Sequence, residues 1–249
     1  MTPRTALVAA VVPLVTVVLA VVTIGLLLIP GTRPFIERTI VPFWAAVVVR
    51  SAGVRYRVEG RERIPEGPVV FVANHRSHLD IPVLCLALGR PLRFVAKREL
   101  VRIPFFGWAL FLLGHITVDR RNPEQARLAL ERAAGRVRGG LSVLFFAEGT
   151  RGTPELIARS RLAPLKKGGI VLALTAGVPL VPVAIAGTER ILPKGSLAVR
   201  PGEVRVRIGP PLDTRGLTLA DRDRVAGALH AWLYAALAPE GEPARVAAR

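Results

Sequence analysis

The sequence predicts an α/β fold: a mixed sheet flanked by helices, with an N-terminal membrane-anchoring helix. Three observations carry this reading. An uncharged apolar run extends from Ala6 to Ile29. From Ser51 onward, short β-type runs alternate with helical patterns, as in an α/β domain. Three polar clusters each follow a strand-like run, which is where α/β proteins place site residues. The expected organisation is an N-terminal anchor and interfacial segment over 1–50, the α/β domain over 51–216, and a C-terminal amphipathic helix with a tail over 217–249, loose from Pro239.

The anchor comes first. At about 1.5 Å per residue, Ala6–Ile29 can cross a hydrocarbon core of about 30 Å. Pro13 and Gly25 lie inside the run, and membrane helices tolerate both. A signal peptide would have a shorter apolar core and a small-residue cleavage site. Pro30-Gly31-Thr32-Arg33-Pro34 is a poor one, so the run reads as an uncleaved anchor. Arg4 precedes it; Arg33, Arg38 and Arg50 follow it. That bias puts the rest of the chain on the cytoplasmic side of a cell membrane. Thr39–Val49, with Phe43 and Trp44, is too short to span. It either lies in the interface as an amphipathic helix or returns as half of a shallow hairpin. A hairpin would make the anchor monotopic and remove the force of the sidedness argument.

In the domain, Val54–Val58 alternates with period two, like a half-solvated strand. Pro68–Ala73 is continuously apolar, like a buried one. Arg93–Ala96, Ile116–Val118, Val143–Phe146 and Leu180–Ile185 read similarly, and Val204–Ile208 reads as an edge or one-sided strand. Helices are expected over Pro123–Val137, over Pro164–Ala176 ending before Gly177, and over Leu219–Leu237.

Composition narrows the function. The 249 residues carry 35 Lys+Arg against 18 Asp+Glu, a formal charge of +17. With 51% hydrophobic residues the chain is not disordered. Only 6% are aromatic, thin for stacking bases, so the charge points to anionic membrane lipid and not to nucleic acid. The single cysteine, Cys85, excludes a disulfide framework and an all-cysteine zinc site, and fits a reducing compartment. Flanked by leucines, it reads as core.

The densest polar cluster is Asn74-His75-Arg76-Ser77-His78-Leu79-Asp80, after the Pro68–Ala73 run. On a continuous helix His75 and Asp80 would sit about 140° apart and could not touch. They meet only if His75 lies in the turn and Asp80 in the first helical turn. Pro82 and the capping ability of Ser77 or Asp80 favour that break. An ionised Asp80 bonded to one imidazole nitrogen leaves the other as a base for a hydroxyl substrate. The plainer alternative is that Asp80 is only a helix cap and His75 a satisfied turn residue. Metal ligation by His75, His78 and Asp80 is disfavoured by their adjacent spacing.

The second cluster is Ala147-Glu148-Gly149-Thr150-Arg151-Gly152. Gly149 allows close backbone approach, Thr150 can hydrogen-bond an oxygen, and Arg151 offers a fork suited to phosphate. The third is Lys97-Arg98-Glu99-Leu100, followed by Pro104 and Gly107; Lys97 supplies a point charge for phosphate. Each is otherwise a solvated turn or surface charge run.

In this order, and with Val181-Pro182-Val183 as a fourth block, the clusters resemble the motifs of the lysophosphatidic acid (1-acyl-sn-glycerol-3-phosphate) acyltransferases of the glycerolipid acyltransferase superfamily, over roughly Val54 to Pro211. Ala147 stands where the family has proline and Gly152 where serine is frequent, so the stiffness of that loop does not carry over. The resemblance implies transfer of an acyl group from acyl-CoA or acyl-carrier protein to the sn-2 hydroxyl of lysophosphatidic acid, giving phosphatidic acid, with no cofactor and no metal. His75 and Asp80 would be catalytic. Lys97 and Arg151 would hold the acceptor phosphate, with Glu148, Gly149 and Thr150 around the phosphate and glycerol and Glu148 orienting neighbouring groups. Arg90, Arg93, Arg98, Arg102, Arg120 and Arg121 would meet anionic lipid or CoA phosphates. The alternatives are a related acyltransferase with another acceptor (glycerol-3-phosphate or a lysophospholipid), a phosphatase, or a non-catalytic anionic-lipid-binding protein.

Overall fold

Parallel strands cannot be joined by tight turns, so each needs a crossover, and the alternation of strand and helix along this chain is the consequence. The computed structural model describes residues 2–119, 121–152 and 162–238. The strands are β1 (Val54–Glu59), β2 (Val70–Ala73), β3 (Leu92–Lys97), β4 (Ile116–Val118), β5 (Ser142–Phe146), β6 (Leu180–Ala186) and β7 (Gly202–Ile208). They form one sheet in the order β1-β7-β6-β2-β5-β3-β4. The run from β6 to β4 is parallel, β7 is antiparallel to β6, and β1 is parallel to β7, so the sheet is mixed.

The helices are α1 (Pro3–Leu27), α2 (Val41–Ser51), α3 (Asp80–Leu88), α4 (Phe106–Leu112), α5 (Pro123–Arg138), α6 (Gly168–Ala176), α7 (Thr188–Ile191) and α8 (Arg222–Leu237). Side chains alternate across the central strand β2. Phe71 and Ala73 join one buried cluster with Ala45, Val48, Val83 and Leu84 of α2 and α3. Val70 and Val72 join the other, with Ala134, Ile170 and Leu233 of α5, α6 and α8. Cys85 is buried in the first cluster, and burial pushes its thiol up to about 12.

Two open alternatives are decided by the structure and one expectation needs correction. β7 is one-sided but not an edge strand: β1 covers its outer side, and its buried residues alternate. α6 begins at Gly168 and not at Pro164. The backbone N–H of Lys166 donates to Ala147 O at 2.6 Å, so this stretch is tied to the end of β5 instead of winding into helix. Gly168 and Gly169 then pass so close to the Phe145 ring that a Cβ would stand 2.8 and 3.0 Å from it. The C-terminal end is as expected, at Gly177 with φ +65°.

For the Thr39–Val49 stretch, the hairpin alternative is the one observed. The chain leaves α1, turns through Arg33–Phe35 and a π-helical Ile36–Ile40, and returns along α1 as α2. Trp44 Nε1 donates to Thr16 Oγ1 at 3.0 Å, and Val199 N to Thr5 Oγ1 at 3.0 Å. α1 therefore docks by a stripe that includes Thr5, Val8, Val12, Ala20 and Thr23, while Leu14, Val18, Val21 and Val22 on its other side are exposed. It is the one helix among the described residues long and apolar enough to cross a membrane. The expected loose tail from Pro239 and the side chain of Arg120 lie outside the described residues.

Candidate active site

A parallel sheet brings the C-terminal ends of its strands to one edge, and crevices form where neighbouring crossovers diverge. Here the next strand after β2 lies beyond β5 on one side, whereas β5 crosses back to β6 on the other. The ends of β2, β5 and β6 therefore surround one place, and each carries polar residues into it.

His75 sits in the turn after β2, and Asp80 is the first residue of α3, so the helix starts where it must for the two to meet. His75 Nδ1 lies 2.7 Å from Asp80 Oδ2. The same oxygen accepts the backbone N–H of Arg76 at 2.6 Å and of Ser77 at 2.9 Å. Oδ1 accepts the hydroxyl of Thr188 at 2.5 Å. Asp80 is fully buried and its oxygens are taken by the turn before the helix and by Thr188, so its expected capping of α3 itself is not what is seen. Ser77 likewise faces the turn, accepting from Leu79 N and donating to Leu192 O.

A carboxylate that only accepts forces the proton of His75 onto Nδ1, which leaves Nε2 with its lone pair. The rest of His75 is held on three more sides. Its N–H donates to Glu148 Oε1 at 2.9 Å, its carbonyl accepts from Gly152 N at 2.9 Å, and its ring stacks on Phe146 at 4.0 Å and 19°. Glu148 is buried, and its other oxygen accepts from Ala163 N at 3.1 Å. Burial raises its carboxyl above the usual range, against the two N–H groups, which lower it.

The turn holding Glu148 is built without the family proline. Ala147 N–H extends the β5–β2 ladder by bonding Ala73 O at 2.8 Å, and Ala147 O takes Lys166 N. A proline could not make the first bond. Gly149 adopts φ +69° to close the turn, and Thr150 is exposed on it. Arg151 is partly exposed, with its carbonyl taken by Lys194 Nζ at 3.0 Å. His78 is held below its ordinary value by desolvation and then by the charges of Arg151 and His75. The Gly152 N–H on His75 O ties the backbone beside Arg151 to the His75 turn.

Lys97 ends β3, two strand positions from β2 and so about 10 Å along the same edge. It pairs with Glu99 at 2.9 Å, and both are half exposed. Gly107 is required where it stands: a Cβ would lie 2.4 Å from Leu100 O and 2.5 Å from Val101 O. Two of the basic residues expected to face lipid do not. Arg93 is buried and paired with Glu37, and Arg90 donates to the carbonyls of Pro65 and Gly67. Arg98, Arg102 and Arg121 are exposed.

The sequence assigns Asn74 no role of its own within its cluster and does not point to Thr188 or Glu189. Asn74 exchanges two hydrogen bonds of 2.8 Å with the backbone of Ile185, locking β2 to β6. Glu189 pairs with Arg76 at 3.4 Å and accepts from Gly187 N at 2.9 Å. The signal was present. Gly187-Thr188-Glu189-Arg190 is a fourth polar cluster directly after a buried strand. Among the described residues no three His, Cys, Asp or Glu side chains are grouped to hold a metal ion.

The sequence model of the acyltransferase family matches residues 55–186, which contain the dyad, the Glu148 turn and Lys97. This chain belongs to the acyltransferase family. Among its relatives is a 1-acyl-sn-glycerol-3-phosphate acyltransferase of Pseudomonas aeruginosa, 39% identical over 174 residues, covering 70% of this chain and 64% of the relative. The chloroplastic 1-acyl-sn-glycerol-3-phosphate acyltransferase BAT2 of Brassica napus is 37% identical over 176 residues, covering 70% and 49%. The chain thus matches about half the length of this plant relative. The crystal structure of the 1-acyl-sn-glycerophosphate (LPA) acyltransferase PlsC from Thermotoga maritima superposes with a TM-score of 0.74 at 25% identity, over 91% of this chain and 92% of that one. The acyltransferase fold is therefore shared across nearly the whole chain.

Proposed function

We propose that this acyltransferase moves an acyl group from a thioester donor, acyl-CoA or acyl-carrier protein, to the sn-2 hydroxyl of 1-acylglycerol-3-phosphate, giving phosphatidic acid. The observation that carries the reading is the 2.7 Å contact of His75 Nδ1 with Asp80, which makes Nε2 a base at the open end of the sheet. The names of the relatives support the acceptor.

In this mechanism His75 Nε2 takes the proton of the acceptor hydroxyl as its oxygen attacks the thioester carbonyl. The tetrahedral intermediate collapses, the C–S bond breaks, and the leaving thiolate takes the proton from the imidazolium. Asp80 fixes the tautomer and stabilises the imidazolium. Arg151 binds the acceptor phosphate, bidentate through its planar fork, and Lys97 adds a point charge farther along the edge. Gly149 and Thr150 line the phosphate and glycerol side. Glu148 acts on substrate through His75, whose backbone it holds, and is a positioning residue. Thr188 is another, acting through Asp80.

The apolar hairpin holds the enzyme on an anionic membrane where the lysolipid and product reside, and the exposed apolar face of α1 supports this. With a hairpin in place of a spanning helix, the basic flanks no longer decide which side the catalytic domain faces. The test is an acceptor panel offered with one labelled acyl-CoA and then with acyl-carrier protein. Preferential labelling of 1-acylglycerol-3-phosphate is expected. Preferential labelling of glycerol-3-phosphate or of a lysophospholipid lacking a free phosphate would reassign the acceptor.

A further inference from the structure

α4 is short, yet it exposes large apolar side chains that a water-facing helix would not. Trp108 is 49% exposed and Phe111 61%, with Leu112, Phe105 and Ile103 exposed beside them. Phe105 holds φ +59°, a conformation rare for an aromatic residue, at the turn that launches the helix. The patch is continuous with the anchor. Arg33, in the turn between α1 and α2, donates to Leu113 O at 3.0 Å and Leu112 O at 3.1 Å, capping the C-terminal end of α4 from the hairpin. Leu28, Ile29 and Phe35, all exposed, flank that same Arg33. The surroundings are basic: Arg38, Arg98, Arg102 and Arg121 are exposed near these elements.

We infer that α4 is a second membrane-inserting element, which enters the same anionic leaflet as the hairpin. Contiguous apolar surface of this size on a protein marks an interaction site. A lipid leaflet fits better than a protein partner because the patch continues into an apolar helix and exposed arginines lie on the segments that lead into it. Amphipathic Trp and Phe beside basic residues are the composition of interfacial segments. Because Lys97 leads through residues 98–105 directly into α4, insertion would set the Lys97 end of the sheet edge at the headgroup level. An acceptor lipid could then reach the site without leaving the leaflet. The inference rests on the membrane-bound reading of the enzyme.

Cys85 is buried, so a cysteine introduced on the surface can be labelled selectively. Full-length Phe111→Cys and, as control, Leu219→Cys ahead of α8, each carrying an environment-sensitive fluorophore, are bound to phosphatidylglycerol vesicles whose acyl chains bear bromine. The label at 111 is expected to shift to the blue and lose emission to the bromines, and the label at 219 to do neither. Trp108→Ser combined with Phe111→Ser should lower turnover of vesicle-embedded acceptor while turnover of a short-chain soluble acceptor is unchanged. Vesicle-bound protein whose label at 111 is no more quenched than that at 219 overturns the inference and leaves the membrane reading intact. Self-quenching between labels at 111 without quenching by lipid would assign the patch to a second copy, which also overturns it. Failure of the full chain to bind vesicles at all overturns both.

Discussion

The hydroxyl of Thr188 donates to Asp80 Oδ1 at 2.5 Å across 108 residues of sequence, from the end of one strand crossover to the start of another. Both residues are fully buried. The other donors to Asp80, from His75, Arg76 and Ser77, all arrive from its own turn and all use Oδ2. Thr188 is thus the contact that fixes the second oxygen, and with it the plane of the carboxylate that orients His75.

Thr188→Val keeps the shape and removes the donor. A hydrogen bond to a charged group is worth about 1.5–3 kcal/mol, so kcat should fall roughly 10- to 100-fold. KM for either substrate should hardly move, because the acceptor and donor sites are untouched. Thr188→Ser should restore most of the rate. Steady-state kinetics on the three proteins check this; equal loss in the serine variant would mean that packing of the methyl group matters and not the hydrogen bond.

His75→Ala should lose roughly 10²- to 10⁴-fold in turnover with little change in folding, because its loss removes one carboxylate contact and one ring stack while the backbone bonds of residue 75 remain. Asp80→Asn is a less clean substitution than the sequence suggests. The buried carboxylate accepts four hydrogen bonds, and an amide nitrogen would face donors on one side. The variant should lose both activity and about 1–3 kcal/mol of stability. Parallel denaturant titrations and rate assays separate the two effects; near-normal turnover by His75→Ala would remove the base mechanism.

Arg151→Ala should raise the acceptor KM about 10- to 100-fold at fixed acyl donor, through loss of a charge-assisted phosphate contact. Arg151→Lys should recover only part, since an ammonium cannot reproduce a two-point contact. Unchanged acceptor dependence in the alanine variant would make Arg151 a surface residue.

Much of the core was legible from local pattern. The near-continuous apolar runs at 70–73 and 180–185 could only be strands buried on both faces, and they are. The His75–Asp80 contact followed from helix geometry and the break before Pro82. Pairing across the sheet was not legible, and the errors lie there. Val204–Ile208 alternates as an edge or a one-sided strand would; it is one-sided, with an outer strand from residues 54–59 beside it, and nothing local announces that partner. Pro164 looked like a helix start, but the Lys166 N–H was already committed to Ala147 O. Arg93 carries the same charge as its exposed neighbours. Its burial depends on Glu37 of the hairpin, 56 residues away.

His115 gives a pH dependence of stability that involves none of the chemistry. It is partly buried, and its Nδ1 accepts the backbone N–H of Phe94 at 2.9 Å, so the neutral ring is the one that fits. Desolvation, followed by the charges of Arg93 and Arg136, lowers it from 6.5 to about 3. The unfolded chain therefore binds a proton below 6.5 that the folded chain refuses until about 3. Stability from this residue is complete above the unfolded value and is lost as pH falls, by at most about 1.4 kcal/mol per pH unit, levelling near the folded value. His115→Asn retains an acceptor for Phe94 N and has nothing to titrate. Other groups move with pH as well, His78 in the same direction and Glu148 in the opposite one, so the informative quantity is the difference between the two proteins. Urea unfolding at pH 7 and pH 5 should show the wild type losing about 2 kcal/mol more than His115→Asn. Equal losses would mean that His115 is protonated in the folded state well above the value its burial implies.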